Sequence, residues 1–205
     1  MNKKVFSPQV FRGAANQRGA SLIMIMLILT ITSLLGIAGI KISMMSERGA
    51  RNDRDQQMAW EAAEAALLDA EQDISSPSSL RHSIFTPVTN EQAFVEGCGK
   101  TGNSRGLCAM AITGHPVWLT ADFDFSDTSS DAPSTAYGTF TGRTFAAGSA
   151  GIQPFQAPRY VIEAIRDPAH RNRSDLSPRY VYRVTAMGFG PRKDIQAVTQ
   201  MIFRN

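Results

Sequence analysis

The chain has 205 residues, enough for one compact domain and an appendage. Its formal charge of +3 comes from 21 basic and 18 acidic residues interspersed along the chain. No basic stripe with interleaved aromatics forms, which argues against nucleic acid as a partner. His82, His115, His170 and two cysteines are too dispersed for a four-ligand zinc site, and no cofactor is expected.

Residues 1–19 carry Lys3, Lys4, Arg12 and Arg18 and no acid. From Ala20 to Ile40 follow twenty-one residues without a charge, ASLIMIMLILTITSLLGIAGI. As a helix rising ~1.5 Å per residue, this block is ~30 Å long, the hydrocarbon thickness of a bilayer. The hydroxyls of Ser21, Thr30, Thr32 and Ser33 can bond back to preceding carbonyls and do not forbid insertion. A secretory signal would have a shorter apolar region, although Gly36-Ile37-Ala38 has the form of a cleavage site. Gly36, Ala38 and Gly39 are small enough to let another helix approach closely. Basic residues flank the block on both sides (Lys41, Arg48, Arg51 and Arg54 follow it), so charge does not set its orientation.

No proline occurs between Pro8 and Pro77, and residues 41–73 are mostly good helix formers, AWEAAEAALLDAEQD above all. Glu47 with Arg51, and Arg51 with Asp55, are spaced for weak surface pairs. Trp60, Ala63, Leu67, Ala70 and Ile74 recur at three- and four-residue steps, predicting a stripe that packs against a head; Leu68 falls off it. Ser75-Ser76-Pro77 ends the run. The spacing therefore predicts one helix of ~54 residues. It is apolar all round over 20–40 and amphipathic over 41–76.

Residues 77–205 read as a globular head. Its first part, 77–158, is loop-rich (SSPSS, GCGKTGNSRG, DTSSDAPST), with VWLTADF from Val117 to Phe123 as a short strand. Cys98 and Cys108 stand there with nine residues between them, a pair suited to a disulfide in an oxidising compartment. That places the C-terminal part on the oxidising side of the membrane.

Two patterns in this region resemble catalytic or metal sites. Gly102-Asn103-Ser104-Arg105-Gly106 matches G-x-S-x-G, with Asp167 and His170 following in hydrolase order. The flanks, however, lack the strand and helix that a nucleophile elbow requires. Asp122, Asp124, Asp127 and Asp131 form an acidic cluster. An EF-hand begun at Asp122 would need Gly and Glu where Asp127 and Pro133 stand, so the simpler reading is a solvated loop, with Asp122, Asp124 and Asp127 as candidates for a different calcium geometry.

The last part, 159–205, alternates clearly. RYVIEAIR (159–166) puts Tyr160, Ile162 and Ala164 on one face. RYVYRVTAM (179–187) puts Tyr180, Tyr182, Val184 and Ala186 on one face. DIQAVTQMIF (194–203) does the same with Ile195, Ala197, Thr199, Met201 and Phe203, and GFGPRK reads as the turn before it. The fold class is α+β: a long N-terminal helix packed on a C-terminal antiparallel sheet.

A basic leader ending at Gly19, then Ala20 opening an apolar helix with an amphipathic extension, looks like the leader and helix of type IV pilins. RGASLIMIMLILTITSLLGIAGI followed by SERGARNDRDQQMAWEAAEAALLDAEQ resembles the PilX family of minor pilins over 17–74, and PRYVIE and RYVYRVTAMGFG carry a weaker match. The resemblance implies a non-enzymatic subunit cut by the prepilin peptidase between Gly19 and Ala20. It implies an inner-membrane single span with a periplasmic head, which later joins the surface pilus with other minor pilins and the major pilin. The assembly helix would be lined by Leu22, Met24, Met26, Leu29, Leu34 and Leu35. Most pilins carry Glu at the fifth mature position, where this chain has Met24, and that departure points to a tip or initiating subunit. A minor pseudopilin of a type II secretion system, or an anchored periplasmic hydrolase, are the alternatives.

Overall fold

The computed structural model describes residues 20–111, 113–123, 133–148, 151–167 and 178–204. The chain divides into two compact units, Met1–Ala50 and Arg51–Asn205. Helix α1 (Ala20–Ser75) is the described part of the first unit and opens the second.

In the first unit every side chain from Ser21 to Ala50 is exposed. The helix is long and apolar enough to cross a membrane. Two of its hydroxyls are satisfied within the helix: Thr30 donates to the Leu27 carbonyl at 2.8 Å and Thr32 to that of Leu29 at 3.1 Å. Bonded in this way, they no longer need water, which lowers the cost of moving them into hydrocarbon.

In the second unit α1 ends at Ser75, whose hydroxyl donates to the Glu71 carbonyl at 2.8 Å, and Pro77 cannot continue the ladder. Short pieces follow: α2 (His82–Phe85), β1 (Leu107–Cys108), α3 (Val117–Thr120) and β2 (Thr135–Ala136). Three long strands complete the unit, β3 (Arg159–Arg166), β4 (Tyr180–Phe189) and β5 (Gln196–Phe203). The sheet order is β1-β3-β4-β5, with β2 also pairing β3. β3, β4 and β5 are antiparallel neighbours, whereas β1 joins β3 in parallel, so the sheet is mixed.

Register follows the alternation. Tyr160 stands opposite Ala186, Ile162 opposite Val184 and Ala164 opposite Tyr182. Val184 and Met201 pair across β4 and β5. These residues share one core with Ala66, Ala70 and Ile74 of α1 and with Phe85 and Phe94. Tyr182 meets Phe85 edge-on at 5.4 Å and stacks on Phe94 at 6.4 Å.

Val117–Phe123 is not a strand. Its first four residues form one helical turn, in which Ala121 donates to the Val117 carbonyl at 2.8 Å. Val117 and Phe123 pack with Cys98, Cys108 and Val161 in a second cluster. An apolar run this short fits a strand or a turn equally well by periodicity, and here two buried side chains suffice to anchor a turn.

Candidate functional site

Two surfaces carry the chain's distinctive chemistry. The first is the apolar half of α1. Leu22, Met24, Met26, Leu29, Leu34 and Leu35 are each more than half exposed, and they stand on all sides of the helix. A helix greasy all round suits lipid or other helices and is costly in water. Met24 provides no charge within this surface. Ala20 opens the helix. Gly19 and the rest of 1–19 lie outside the described residues, as do Asp124, Asp127 and His170.

The second surface is the contact between the upper part of α1 and the sheet. The predicted stripe is corrected here. Ala63, Ala70 and Ile74 are buried, Leu67 is partly buried, and Trp60 is 49% exposed, its indole N–H donating to Glu64 at 2.7 Å. The buried face consists of Ala59, Ala62, Ala63, Ala66, Asp69, Ala70, Asp73 and Ile74. Backbone proximity explains the shift. A Cβ built on Gly188 of β4 would lie 2.1 Å from the Ala59 carbonyl oxygen and 2.3 Å from the Ala63 nitrogen. At that separation only alanine fits between helix and strand, so the tryptophan turns outward.

Two acids sit within this alanine face. Asp73 is fully buried and accepts from the Ser79 hydroxyl at 2.8 Å, from the Tyr160 hydroxyl at 2.9 Å, and from Arg81 Nε at 2.9 and 3.1 Å. A further close bond joins Arg81 to Asp73 through the end of the guanidinium. Arg81, itself fully buried, also donates to the Asn103 and Arg105 carbonyls at 3.2 and 2.6 Å and lies 3.9 Å from the centre of the Phe140 ring. One cation thus ties the helix to the loop closed by the disulfide. Burial, followed by the charge of Asp73, pushes the Tyr160 phenol well above its ordinary range, so this hydroxyl stays a donor.

Asp69 accepts from the Gly138 amide at 2.8 Å and the Thr141 hydroxyl at 2.5 Å, with Arg143 at 3.8 Å. Burial raises its carboxyl above 3.8 despite these donors. A raised folded-state value means that the folded chain holds this proton more tightly than the unfolded one. The contribution of Asp69 is therefore fully present below pH 3.8 and is lost as pH rises through the raised value. Asp69→Asn should remove this component. The stability of the parent minus that of the variant should fall as pH climbs out of the acid range, read from melting of the full chain in detergent. A difference that grows with pH would contradict the assignment.

Across β3 and β4, the buried Glu163 accepts a two-pronged bond from Arg183, both contacts at 2.8 Å, and this bond raises the arginine's pKa. Arg159 donates to the Ser134 hydroxyl and carbonyl, each at 2.7 Å, and burial lowers it to about 10. Cys98 and Cys108 are joined by a disulfide with an S–S distance of 2.09 Å. The carbonyl of Asp122 accepts from the Ser134 hydroxyl at 2.9 Å, which puts a loop-closing bond at one end of the acidic cluster. Ser104 lies in a short 3-10 turn, Gly102–Ser104, rather than between a strand and a helix. Asp69, Asp73, Arg81 and Glu163 were not anticipated as paired groups. The one available signal was two acids four residues apart within an alanine stripe.

Residues 18–68 match the family described as PilX N-terminal, and residues 88–205 match type IV pilus assembly protein PilX C-term. The chain belongs to the PilX family. Neither a curated protein nor a solved structure matches it. This PilX-family chain is accordingly a type IV pilus assembly protein, with an N-terminal apolar helix compatible with membrane anchoring. The first matched range contains the apolar surface and half of the alanine face, and the second contains the disulfide loop and all three long strands.

Proposed function

We propose that the chain is a non-enzymatic minor pilin that helps initiate fibre assembly from the tip. Residues 1–19 are the leader, removed by the prepilin peptidase after Gly19. Residues 20–40 cross the inner membrane, while 41–76 and the head, 77–205, stand in the periplasm. There the chain meets other minor pilins and, through them, the major pilin. The disulfide supports the oxidising compartment.

The observation that carries this reading is the uncharged surface from Ala20 to Ile40, exposed from Ser21 onward. In the bilayer it contacts lipid, and on extraction into a fibre it exchanges lipid for other apolar helices, aided by the small residues Gly36, Ala38 and Gly39. Met24 supports a terminal position. A carboxylate within this surface would be expensive unless paired with a neighbouring subunit, and this chain brings none.

The test is mass analysis of the N-terminus, in membranes and in sheared fibres. The expected mature chain begins at Ala20. Gly19→Leu should leave the precursor uncut and abolish its entry into fibres. Normal processing of that variant, or a mature chain beginning near Gly39, would overturn the proposal.

A further inference from the structure

The sheet of the second unit is closed at one edge and open at the other. Beside β1, the Val95 amide donates to the Leu107 carbonyl at 3.2 Å and the Ala109 amide to the Val95 carbonyl at 2.9 Å. The chain's own loop thus caps that edge. At the opposite edge stands β5.

The hairpin before β5 fixes which way its backbone points. The Gly190 amide donates to the Ile195 carbonyl at 2.8 Å, in the register that continues with Gly188 opposite Ala197 and Ala186 opposite Thr199. Bonded residues alternate in an antiparallel pair, so Ala197, Thr199, Met201 and Phe203 are the ones that bond to β4. Gln196, Val198, Gln200 and Ile202 therefore turn their amides and carbonyls away from the sheet. The Gln196 carbonyl accepts from the Gln56 side chain at 3.3 Å, as this parity requires. The main chain of the other three has no partner among the described residues.

Soluble proteins blunt such an edge with charge, proline or a bulge. β5 uses none of these: QAVTQMIF is uncharged, lacks proline and keeps one register along its whole length. Val198 and Ile202 on its outer side are 48% and 62% exposed, and Met201 and Phe203 on its inner side are only partly buried. Alternating donors and acceptors at this spacing are matched by another extended backbone, not by a helix or a sugar. A second copy paired antiparallel through β5 is excluded by symmetry. The two-fold axis would stand perpendicular to the sheet and reverse α1, which lies on its face, in one of two chains anchored in the same membrane. That step rests on the pilin reading. We propose that an uncharged extended segment of a different protein pairs with β5 as a further strand, apolar beside Val198 and Ile202.

The test is photocrosslinking of the full chain in fibre-forming cells, with benzoylphenylalanine in place of Ile202, and mass sequencing of the product. The attached peptide should be an uncharged run of about five residues or more from another protein. Val198→Pro removes an amide that β4 does not use. It should cut the yield about tenfold while the melting temperature stays within about 2 °C of the parent. Thr199→Pro removes an amide that β4 does use, and should lower the melting temperature by about 10 °C or more. Attachment to a second copy, to a helix or to a charged loop would overturn the proposal, as would the absence of any product. So would a parental yield in Val198→Pro, or equal melting losses in the two proline variants. Unaltered N-terminal processing of Val198→Pro separates these results from failure of the pilin reading.

Discussion

Arg81→Met should destabilise the head by about 3–5 kcal/mol, the largest loss expected from a single side chain here. Methionine approximates the buried volume of the arginine stem, so the effect is chiefly electrostatic. The substitution leaves Asp73 fully buried with only the hydroxyls of Ser79 and Tyr160 to stabilise it. It also takes the Arg81 donor from the Asn103 and Arg105 carbonyls, the second of which keeps the Thr135 hydroxyl at 2.8 Å. Pairing it with Asp73→Asn removes the stranded charge and should restore a substantial part of the loss. The resulting cycle measures the coupling directly. Urea unfolding of the detergent-solubilised chain, followed by near-ultraviolet circular dichroism, is the appropriate readout. A cost under about 1 kcal/mol would be that of a surface pair and would refute the account of a buried clamp.

Gly188→Val should be the most damaging change on the sheet side. The Cβ alone would overlap main-chain atoms of Ala59 and Ala63, and backbone cannot swing aside as a long side chain can. Helix and strand must then separate, which opens the alanine face and costs about 3 kcal/mol or more. Gly188→Ala should show a smaller effect of the same sign. Gly49→Ala is the control, because an added Cβ there meets nothing within 4 Å and alanine favours the helix by up to about 1 kcal/mol. Hydrogen exchange along β4 and α1 would locate the damage. Protection unchanged in Gly188→Val would show that the contact is looser than these distances indicate.

The strands illustrate how far local pattern reaches. β3 occupies the predicted bounds Arg159–Arg166, because its apolar alternation is written in adjacent residues, although its first five residues are buried on both faces. β4 runs on to Phe189, through a glycine that reads as the start of a turn. Gly188 is strand because it pairs with Ala197 of β5, and it is glycine because a helix backbone presses on it; nothing near it in the chain reports that pressure. In 77–158, Leu107–Cys108 becomes a strand by pairing with Ile162–Glu163, more than fifty positions away. Such two-residue strands have no periodicity of their own to detect. The helix stripe was read by side-chain size, which favoured Trp60, whereas the sheet selected for smallness.

The amino-acid sequence by itself determined the long helix with a span of bilayer length, the three alternating strands, the α+β class and the family resemblance. Each of these rests on spacing within a short window or on an uninterrupted run. Tertiary structure alone decided which face of the helix is buried, where the lone parallel strand attaches, and how the buried charges are neutralised. Asp73 and Tyr160 are 87 positions apart, and whether an acid can be buried depends on the donors that the folded chain brings to it.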